Sequence, residues 1–292
     1  MHSRRTAHDK NCHPDRQHRL PATRPAAEVR HHVIPLTLIW EGETLRDGVD
    51  IQPDDFYKRL GTSKTMPTTS QITVAEMEGA FKKLLEEDVE VLGIFISSKF
   101  SGTMEAALKA REGMSKAAEK IAIVDSLTTT MAMGWQVLTA ARAALAGESL
   151  ESCRKITEHA RDNSGVMFVV ETLEFLRRGG RIGGAQALLG TALNIKPVLE
   201  MQNGRIETVE KIRTKTKAVQ RILDLTVEHI GTRKPVRVAS VHANAEGEAV
   251  ALLEEAKKVM NPVEALCCPL SPVIGTHAGP GTIALPYMAG VE

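Results

Sequence analysis

The 292-residue chain is 42% hydrophobic and 25% charged, proportions typical of a globular protein long enough for two domains. Its formal net charge of +1 and its 3% aromatic content argue against a protein built to bind nucleic acid. The four cysteines include no CxxC pair, which argues against a metal clamp and favours a reduced, cytoplasmic setting. No apolar run approaches the roughly 18 residues that a membrane helix needs, so no stable membrane insertion is expected.

The chain opens with a polar segment, residues 1–32, which holds six of the ten histidines and shows almost no apolar periodicity. It lacks the apolar stretch of a signal peptide, and its histidines follow no metal-ligand spacing. We therefore expect a poorly ordered arm here and no metal site.

Strand and helix patterns alternate from residue 33 to about residue 160. VIPLTLIW predicts a strand, EGETLRDG a turn region, and VAEMEGAFKKLLEE a helix with one apolar face. The next four segments predict strand, helix, strand and helix in turn: VEVLGIFIS, TMEAALKAREGMSKAAEK, IAIVDS and TTTMAMGWQVLTAARAALAG. This order predicts an α/β domain over residues 33–160 with a largely parallel sheet.

The remaining residues, 161–292, mix hairpin and helix patterns and predict a separate α+β domain. IKPVLEMQNGRIETVEKI contains two strand-like runs about Asn203 and Gly204, a strong β-hairpin signal. Helices are predicted in KAVQRILDLTVEHI and EGEAVALLEEAKKVM, with a strand in PVRVASVHA between them. Two further strands, near VEALCCPL and SPVIGTHA, are expected to close the chain.

Motifs of common enzyme classes are missing, since the chain contains no GxxxxGK[ST], HExxH or GxSxG. Ser101, His277 and Asp125 can be grouped as a hydrolase triad, but any long chain supplies such a trio.

Polar residues recur instead where apolar runs end, in TTSQ (68–71), SSKFSGT (97–103) and GTHAGPG (275–281). A plain helix N-cap is one interpretation of the serines, and an anion site at the helix start is the other. A hydrogen-bonded structural histidine is the alternative for His277. Hydroxyl groups with one histidine, and no obligatory Arg or Lys beside them, suit a single carboxylate better than a polyphosphate.

These three motifs, with FLRRGGRIGG, IKPVLEMQNGRIE and KIRTKTKA between them, occur in the order seen in the DegV family. The chain resembles this family from about residue 33 to residue 285. The resemblance implies a two-domain fold, a parallel α/β N-terminal domain plus an α+β C-terminal domain with a β-hairpin. It also implies that one long-chain fatty acid lies in a buried tunnel, with no metal and no other cofactor.

By that resemblance, Thr69, Ser101 and His277 bind the fatty acid carboxylate. The nearby headgroup loops contain Ser70, Ser97, Ser98 and Gly102. Arg181 of GGRIGG and Arg213 of KIRTKTKA match basic positions associated with a partner kinase in this family.

The leading hypothesis is a carrier without catalysis of its own, which presents the carboxylate to a fatty acid kinase for acyl-phosphate formation. A serine-dependent hydrolase or acyltransferase using Ser101 and His277 is the second hypothesis, and a lipid-sensing module without a kinase is the third.

The start of the chain departs from the family pattern. The family opens with a strand that ends in TDST-x-DLP. The corresponding stretch here, PDRQHRLP (14–21), keeps only Asp15, Leu20 and Pro21.

Overall fold

The computed structural model describes residues 31–190 and 195–292, in which helices and strands form a mixed α/β fold. The strands are β1 Thr37–Trp40, β2 Glu43–Arg46, β3 Thr68–Ser70, β4 Val91–Phe95, β5 Ile121–Asp125, β6 Ser164–Val169, β7 Lys196–Gln202, β8 Arg205–Ile212, β9 Val236–His242, β10 Glu264–Pro269 and β11 Ile283–Ala289. The helices are α1 Pro53–Thr62, α2 Val74–Leu85, α3 Thr103–Glu112, α4 Thr130–Leu145, α5 Leu150–Asp162, α6 Glu174–Arg178, α7 Lys215–Ile230, α8 Glu246–Met260 and α9 Pro272–Ala278. Two 3₁₀ segments, Ser115–Lys120 and Gly183–Leu188, complete these elements.

In the first half of the chain, where a largely parallel sheet was predicted, β4 and β5 form a parallel pair, and β2-β1-β3 form an antiparallel sheet. The prediction of a turn over EGETLRDG was wrong in part, because β2 occupies its centre. Glu41 and Gly42 make the turn before β2, with φ of 52° and 85°, and a second turn begins at Gly48. Positive φ at both central residues is the geometry of a tight two-residue hairpin, so the chain returns at once as a strand.

The second half forms a six-stranded sheet in the order β10-β9-β11-β6-β7-β8, in which only β9 and β10 are parallel. The predicted hairpin is confirmed: β7 and β8 pair on either side of Asn203 and Gly204, which have φ of 49° and 79°. One face of this sheet packs against α4, and the opposite face packs against α7 and α8. Side chains that alternate along each strand therefore enter two different hydrophobic cores.

The prediction of a strand over SPVIGTHA was wrong, because this segment is helix α9. Its Val, Ile and Thr residues suggest a strand, but Pro272 supplies no N–H and fits the first turn of a helix. The last strand is β11, which lies between β6 and β9. Helix α9 consequently lies at the end of the sheet, where Val273 and Ala278 are buried.

The core on the α4 side includes residues of both predicted domains, for example Trp40, Phe56, Phe168 and Ala284. Residue 160, the predicted domain boundary, lies within helix α5. The division into 33–160 and 161–292 stays a prediction, and residues 1–30 of the predicted arm lie outside the described residues.

An ion-pair cluster joins α4 to the six-stranded sheet. Glu264 of β10 accepts hydrogen bonds from Arg142 of α4 at 2.7 Å and from Arg237 of β9 at 2.6 Å. Burial acts to raise the pKa of Glu264, but the hydrogen bonds from the two arginines outweigh it and hold that pKa below its ordinary value. The carboxylate therefore stays ionised within the cluster.

Candidate functional site

A cavity of about 350 Å³ lies where the ends of β3, α3, α4 and α9 meet. Its polar lining consists of Thr69, Ser70, Gln71, Ser101, Thr129, Arg181 and His277. Its apolar lining consists of Leu36, Ile96, Phe100, Val273, Ile274 and Ala278. The fold thus brings together Thr69, Ser70, Ser101, Arg181 and His277, which the sequence placed in four separate motifs.

Two helices begin at this cavity, because Ser101 precedes α3 and Thr129 precedes α4. The first N–H groups of a helix lack partners within the helix, and they carry the positive end of its dipole. The Thr103 N–H donates to Ser101 Oγ at 3.3 Å, and the hydroxyls of Ser101 and Thr103 lie 2.8 Å apart. Ser101 thus accepts the N–H of the first residue of α3 from a position before the N-cap, Gly102, and it also lines the cavity. Its role in an anion site stays a prediction.

The central contact of the cavity joins Thr69 of β3 to His277 in the last turn of α9. Thr69 Oγ1 lies 2.9 Å from His277 Nε2, although 208 residues separate them in sequence. Burial and, secondarily, the guanidinium of Arg181 lower the pKa of His277 to about 4. The imidazole is therefore neutral at pH 7. Its Nδ1 atom is buried and has no hydrogen-bond partner among the described residues.

Arg181 lines the cavity beside this histidine and is held by two backbone carbonyls. Its Nε donates to Phe100 O at 3.1 Å, and its Nη1 donates to Gly179 O at 2.5 Å. Gly179 itself lies against the His277 ring, since a Cβ atom built there would be 2.1 Å from Nδ1. Arg181 is thus a cavity residue, and its expected contact with a partner stays a prediction.

Three residues predicted for the headgroup loops do not line the cavity. Ser97 is buried and donates to Gly204 O at 2.8 Å, which ties its loop to the tip of the β7–β8 hairpin. Ser98 is exposed, and its N–H donates to the carboxylate of Asp125 at 3.2 Å. Gly102 is the N-cap of α3 and lies under the side chain of Gln71.

Arg213 lies away from the cavity, immediately after the last residue of β8, where it is exposed. Arg181 lies near the opposite end of that strand. Gly183, two residues after Arg181, packs against the backbone of Ile206 at the start of β8. A strand rises about 3.3 Å per residue, so roughly 23 Å of β8 separates Ile206 from Arg213. Arg181 and Arg213 are therefore far apart, although both were expected to contact the same partner kinase.

Two polar cavity residues, Gln71 and Thr129, were not among the predicted site residues. Gln71 ends the TTSQ motif, and Thr129 lies in SLTTT between a predicted strand and a predicted helix. That strand, polar loop and helix order is the same pattern that identified SSKFSGT. The signal for Thr129 was therefore present in the sequence.

The geometry does not assemble the hypothetical triad within the described residues. His277 is hydrogen-bonded to Thr69, and Ser101 to Thr103, so no hydrogen bond joins the serine to the histidine. Residues 31–190 and 195–292 contain no group of His, Cys, Asp and Glu side chains that could hold a metal ion. No helix in those ranges is long and apolar enough to cross a membrane.

Fold and cavity together define a mixed α/β protein with a small polar site at helix ends and apolar walls around it. Residues 21–289 match the DegV family, described as uncharacterised proteins, and the chain belongs to that family. It is 34% identical over 255 residues to the protein DegV of Bacillus subtilis, an alignment covering 87% of this chain and 90% of the relative.

Solved structures of the family have the same fold. A DegV family protein from Thermus thermophilus, described by its fatty acid binding, superposes with a TM-score of 0.82 at 35% identity, covering 87% of this chain and 90% of the other. DegV from Bacillus subtilis, described as a fatty acid binding protein, gives a TM-score of 0.80 at 33% identity, covering 88% and 91%. The predicted two-domain DegV-like fold class is therefore confirmed at the level of the α/β architecture.

Proposed function

We propose that this protein binds one long-chain fatty acid, with the carboxylate at Thr69, Ser101 and His277. The observation that carries the proposal is the hydrogen-bonded Thr69–His277 pair beside Ser101, in a cavity that Phe100 and Ile274 help to line. The two family members described by fatty acid binding support the same ligand class.

The chemistry of the cavity suits an anionic group with an apolar tail. Burying a carboxylate without hydrogen-bond donors is costly, and hydrogen bonds to a charged group contribute about 1.5–3 kcal/mol each. Hydroxyls of Thr69 and Ser101 and the N–H groups at the start of α3 supply donors here. The acyl chain requires apolar walls alone, and each buried methylene contributes roughly 0.8 kcal/mol.

Mass spectrometry of lipid released from the denatured, purified protein tests the proposal directly. A long-chain fatty acid in near-equal molar amount is expected. Removing the lipid should lower the melting temperature, and palmitate or oleate should restore it, because a ligand that binds only the folded state stabilises that state. Acetate should stabilise much less, since it buries no methylene chain. Equal stabilisation by acetate would indicate a small-anion site instead.

The carrier function extends the proposal to a partner: the bound carboxylate is presented in the cytoplasm to a fatty acid kinase, and the protein alone has no turnover. Arg181 and Arg213 support this step by their resemblance to kinase-associated positions. Substitution of Arg213 separates the partner role from lipid binding better than substitution of Arg181, because Arg213 is exposed and outside the cavity lining. Arg213→Ala should keep fatty acid affinity and reduce kinase-dependent phosphate transfer.

Parallel assays on one preparation distinguish the outcomes of this test. Loss of phosphate transfer with unchanged lipid binding supports presentation to the kinase through Arg213. Unchanged transfer would remove Arg213 from the partner surface. Turnover of a fatty acyl ester by the protein alone would contradict the carrier function and favour a hydrolase.

A further inference from the structure

The hydrogen bond between Thr69 and His277 can run in two directions, and the direction decides what the cavity offers a ligand. If Nε2 carries the imidazole proton, it donates to Thr69 Oγ1, and the hydroxyl proton of Thr69 is left for the ligand. If Nδ1 carries the proton, Thr69 must donate to Nε2 and can only accept from the ligand. The first arrangement suits a carboxylate, and the second opposes it.

The surroundings of Nδ1 favour the arrangement that leaves this atom without a proton. An N–H group at Nδ1 would be a buried donor with no acceptor among the described residues. The residue that covers Nδ1 is Gly179, and its carbonyl oxygen already accepts a hydrogen bond from Arg181.

The positive charge of Arg181 also favours the His277 tautomer that has no proton on Nδ1. Arg181 Nη1 donates to the carbonyl oxygen of Gly179, the residue that lies against Nδ1, whereas Thr69 is bonded at Nε2. We infer from this that the guanidinium is nearer to Nδ1 than to Nε2. A proton at Nδ1 would direct positive charge towards a cation, and a lone pair there would direct negative charge towards it. The cation therefore stabilises the tautomer with the proton on Nε2.

We propose that Arg181 is a positioning residue that sets the tautomer of His277, so that Thr69 always donates its hydroxyl proton to the ligand. This relay runs from His277 Nε2–H through the Thr69 hydroxyl to an acceptor oxygen. The inference rests on the proposed function and explains its preference: a carboxylate only accepts hydrogen bonds, whereas an alcohol brings a donor proton of its own that finds no acceptor at Thr69.

Nuclear magnetic resonance of the delipidated full-length protein tests the tautomer without any ligand. Two-bond correlations between ring protons and the nitrogens of ¹⁵N-labelled histidine distinguish Nδ1–H, Nε2–H and doubly protonated rings. A His277→Gln spectrum identifies the His277 signals among the ten histidines. The wild-type spectrum at pH 7 should show Nε2–H, and Arg181→Gln should shift the population towards Nδ1–H. Arg181→Lys should restore the wild-type pattern, because it keeps the charge.

Arg178→Gln is the matched control, since Arg178 is an exposed arginine of the same segment and pairs with Glu174. It should leave the tautomer unchanged. A wild-type ring protonated at Nδ1 would overturn the proposal even if no Arg181 variant folds. An Arg181→Gln spectrum identical to the wild type would overturn the role of Arg181. Neither result depends on lipid, so neither bears on whether the protein binds fatty acids.

Headgroup selectivity gives the functional measurement. The wild type should bind palmitate at least about tenfold more tightly than 1-hexadecanol, the fold-change expected from one hydrogen bond to a charged group. Thr69→Val, which cannot complete the relay, should lose most of this ratio. Equal affinities for the acid and the alcohol in the wild type would overturn the relay, whereas fatty acid binding itself would stand.

Discussion

Gly179 provides a direct test of how the cavity histidine is held in place. A Cβ atom at this position would lie 2.1 Å from His277 Nδ1 and 3.0 Å from its Cε1. Atoms in contact prefer separations near 3.5 Å, so the ring in Gly179→Ala must be displaced by about 1.4 Å. Because Thr69 Oγ1 lies 2.9 Å from Nε2 on the other side of the ring, the ring cannot move straight back and must rotate, which breaks the alignment of this hydrogen bond.

Two opposing effects set the stability of Gly179→Ala. Gly179 ends α6 with φ of −72° and ψ of −11°, a conformation that alanine adopts readily. The backbone change alone should therefore stabilise the fold by about 0.4–1 kcal/mol. Overpacking against a buried ring costs about 1–3 kcal/mol, so a net loss near 1 kcal/mol is expected. Fatty acid affinity should fall about tenfold or more, because the carboxylate site loses its fixed threonine.

Gly113→Ala is the matched control for this substitution. Gly113 also ends a helix, α3, with φ of −68° and ψ of −12°, but its nearest neighbour, Ala110 O, would lie 3.5 Å from the new Cβ. It should gain stability and bind as the wild type does. Displacement titrations with a fluorescent fatty acid, beside urea unfolding of the same samples, measure both quantities.

A double-mutant cycle tests whether Gly179 acts through the Thr69–His277 hydrogen bond. If Gly179 acts through the Thr69–His277 hydrogen bond, Gly179→Ala should weaken binding far less in a Thr69→Val background than in the wild type. Wild-type affinity in a folded Gly179→Ala protein would refute the steric argument. Full additivity of the two substitutions would refute the proposed route through the hydrogen bond.

Three further predictions concern the carboxylate site, the acid stability of the protein and the ion pairs of Glu264. A Thr69→Ala, Ser101→Ala double variant should lose about 1.5–3 kcal/mol of fatty acid binding free energy per hydrogen bond and still unfold cooperatively in urea. Burial and Arg181 lower the pKa of His277 to about 4, so stability should fall as the pH drops from about 6.5 towards 4. His277→Gln should weaken that dependence, because the unfolded wild type binds a proton that the folded state excludes. Glu264→Gln should lower the free energy of unfolding at pH 7 by about 1.5–3 kcal/mol, since two arginines lose their charged partner.

Each of these predictions has a contrary outcome. Unchanged affinity in the folded double variant would remove both hydroxyls from the carboxylate site. An undiminished pH dependence in His277→Gln would assign the acid destabilisation to other groups. A Glu264→Gln protein as stable as the wild type would show that the arginines are satisfied without this carboxylate.

Local chain chemistry predicted much of the fold, and the resemblance to the DegV family supplied the candidate site residues. Asn203 and Gly204 identified their hairpin, because few other residues adopt positive φ in a tight turn. Local residue preferences gave the wrong structure for SPVIGTHA, because its β-branched residues suggest a strand whereas Pro272 starts a helix. Short apolar segments are ambiguous in this way, since packing against the rest of the fold outweighs their weak intrinsic preference.

The sequence by itself determined that hydroxyls, glycines and one histidine occur where apolar runs end, and the resemblance of these motifs to the DegV family selected Thr69, Ser101 and His277 among them. Tertiary structure alone decided which serine faces the cavity. Ser97 and Ser101 share one loop, but Gly204, 107 residues away from Ser97, accepts the hydroxyl proton of Ser97 and removes it from the site. Contacts between distant segments also fix Thr69 against His277 and Arg181 against Phe100, and no local pattern encodes such contacts.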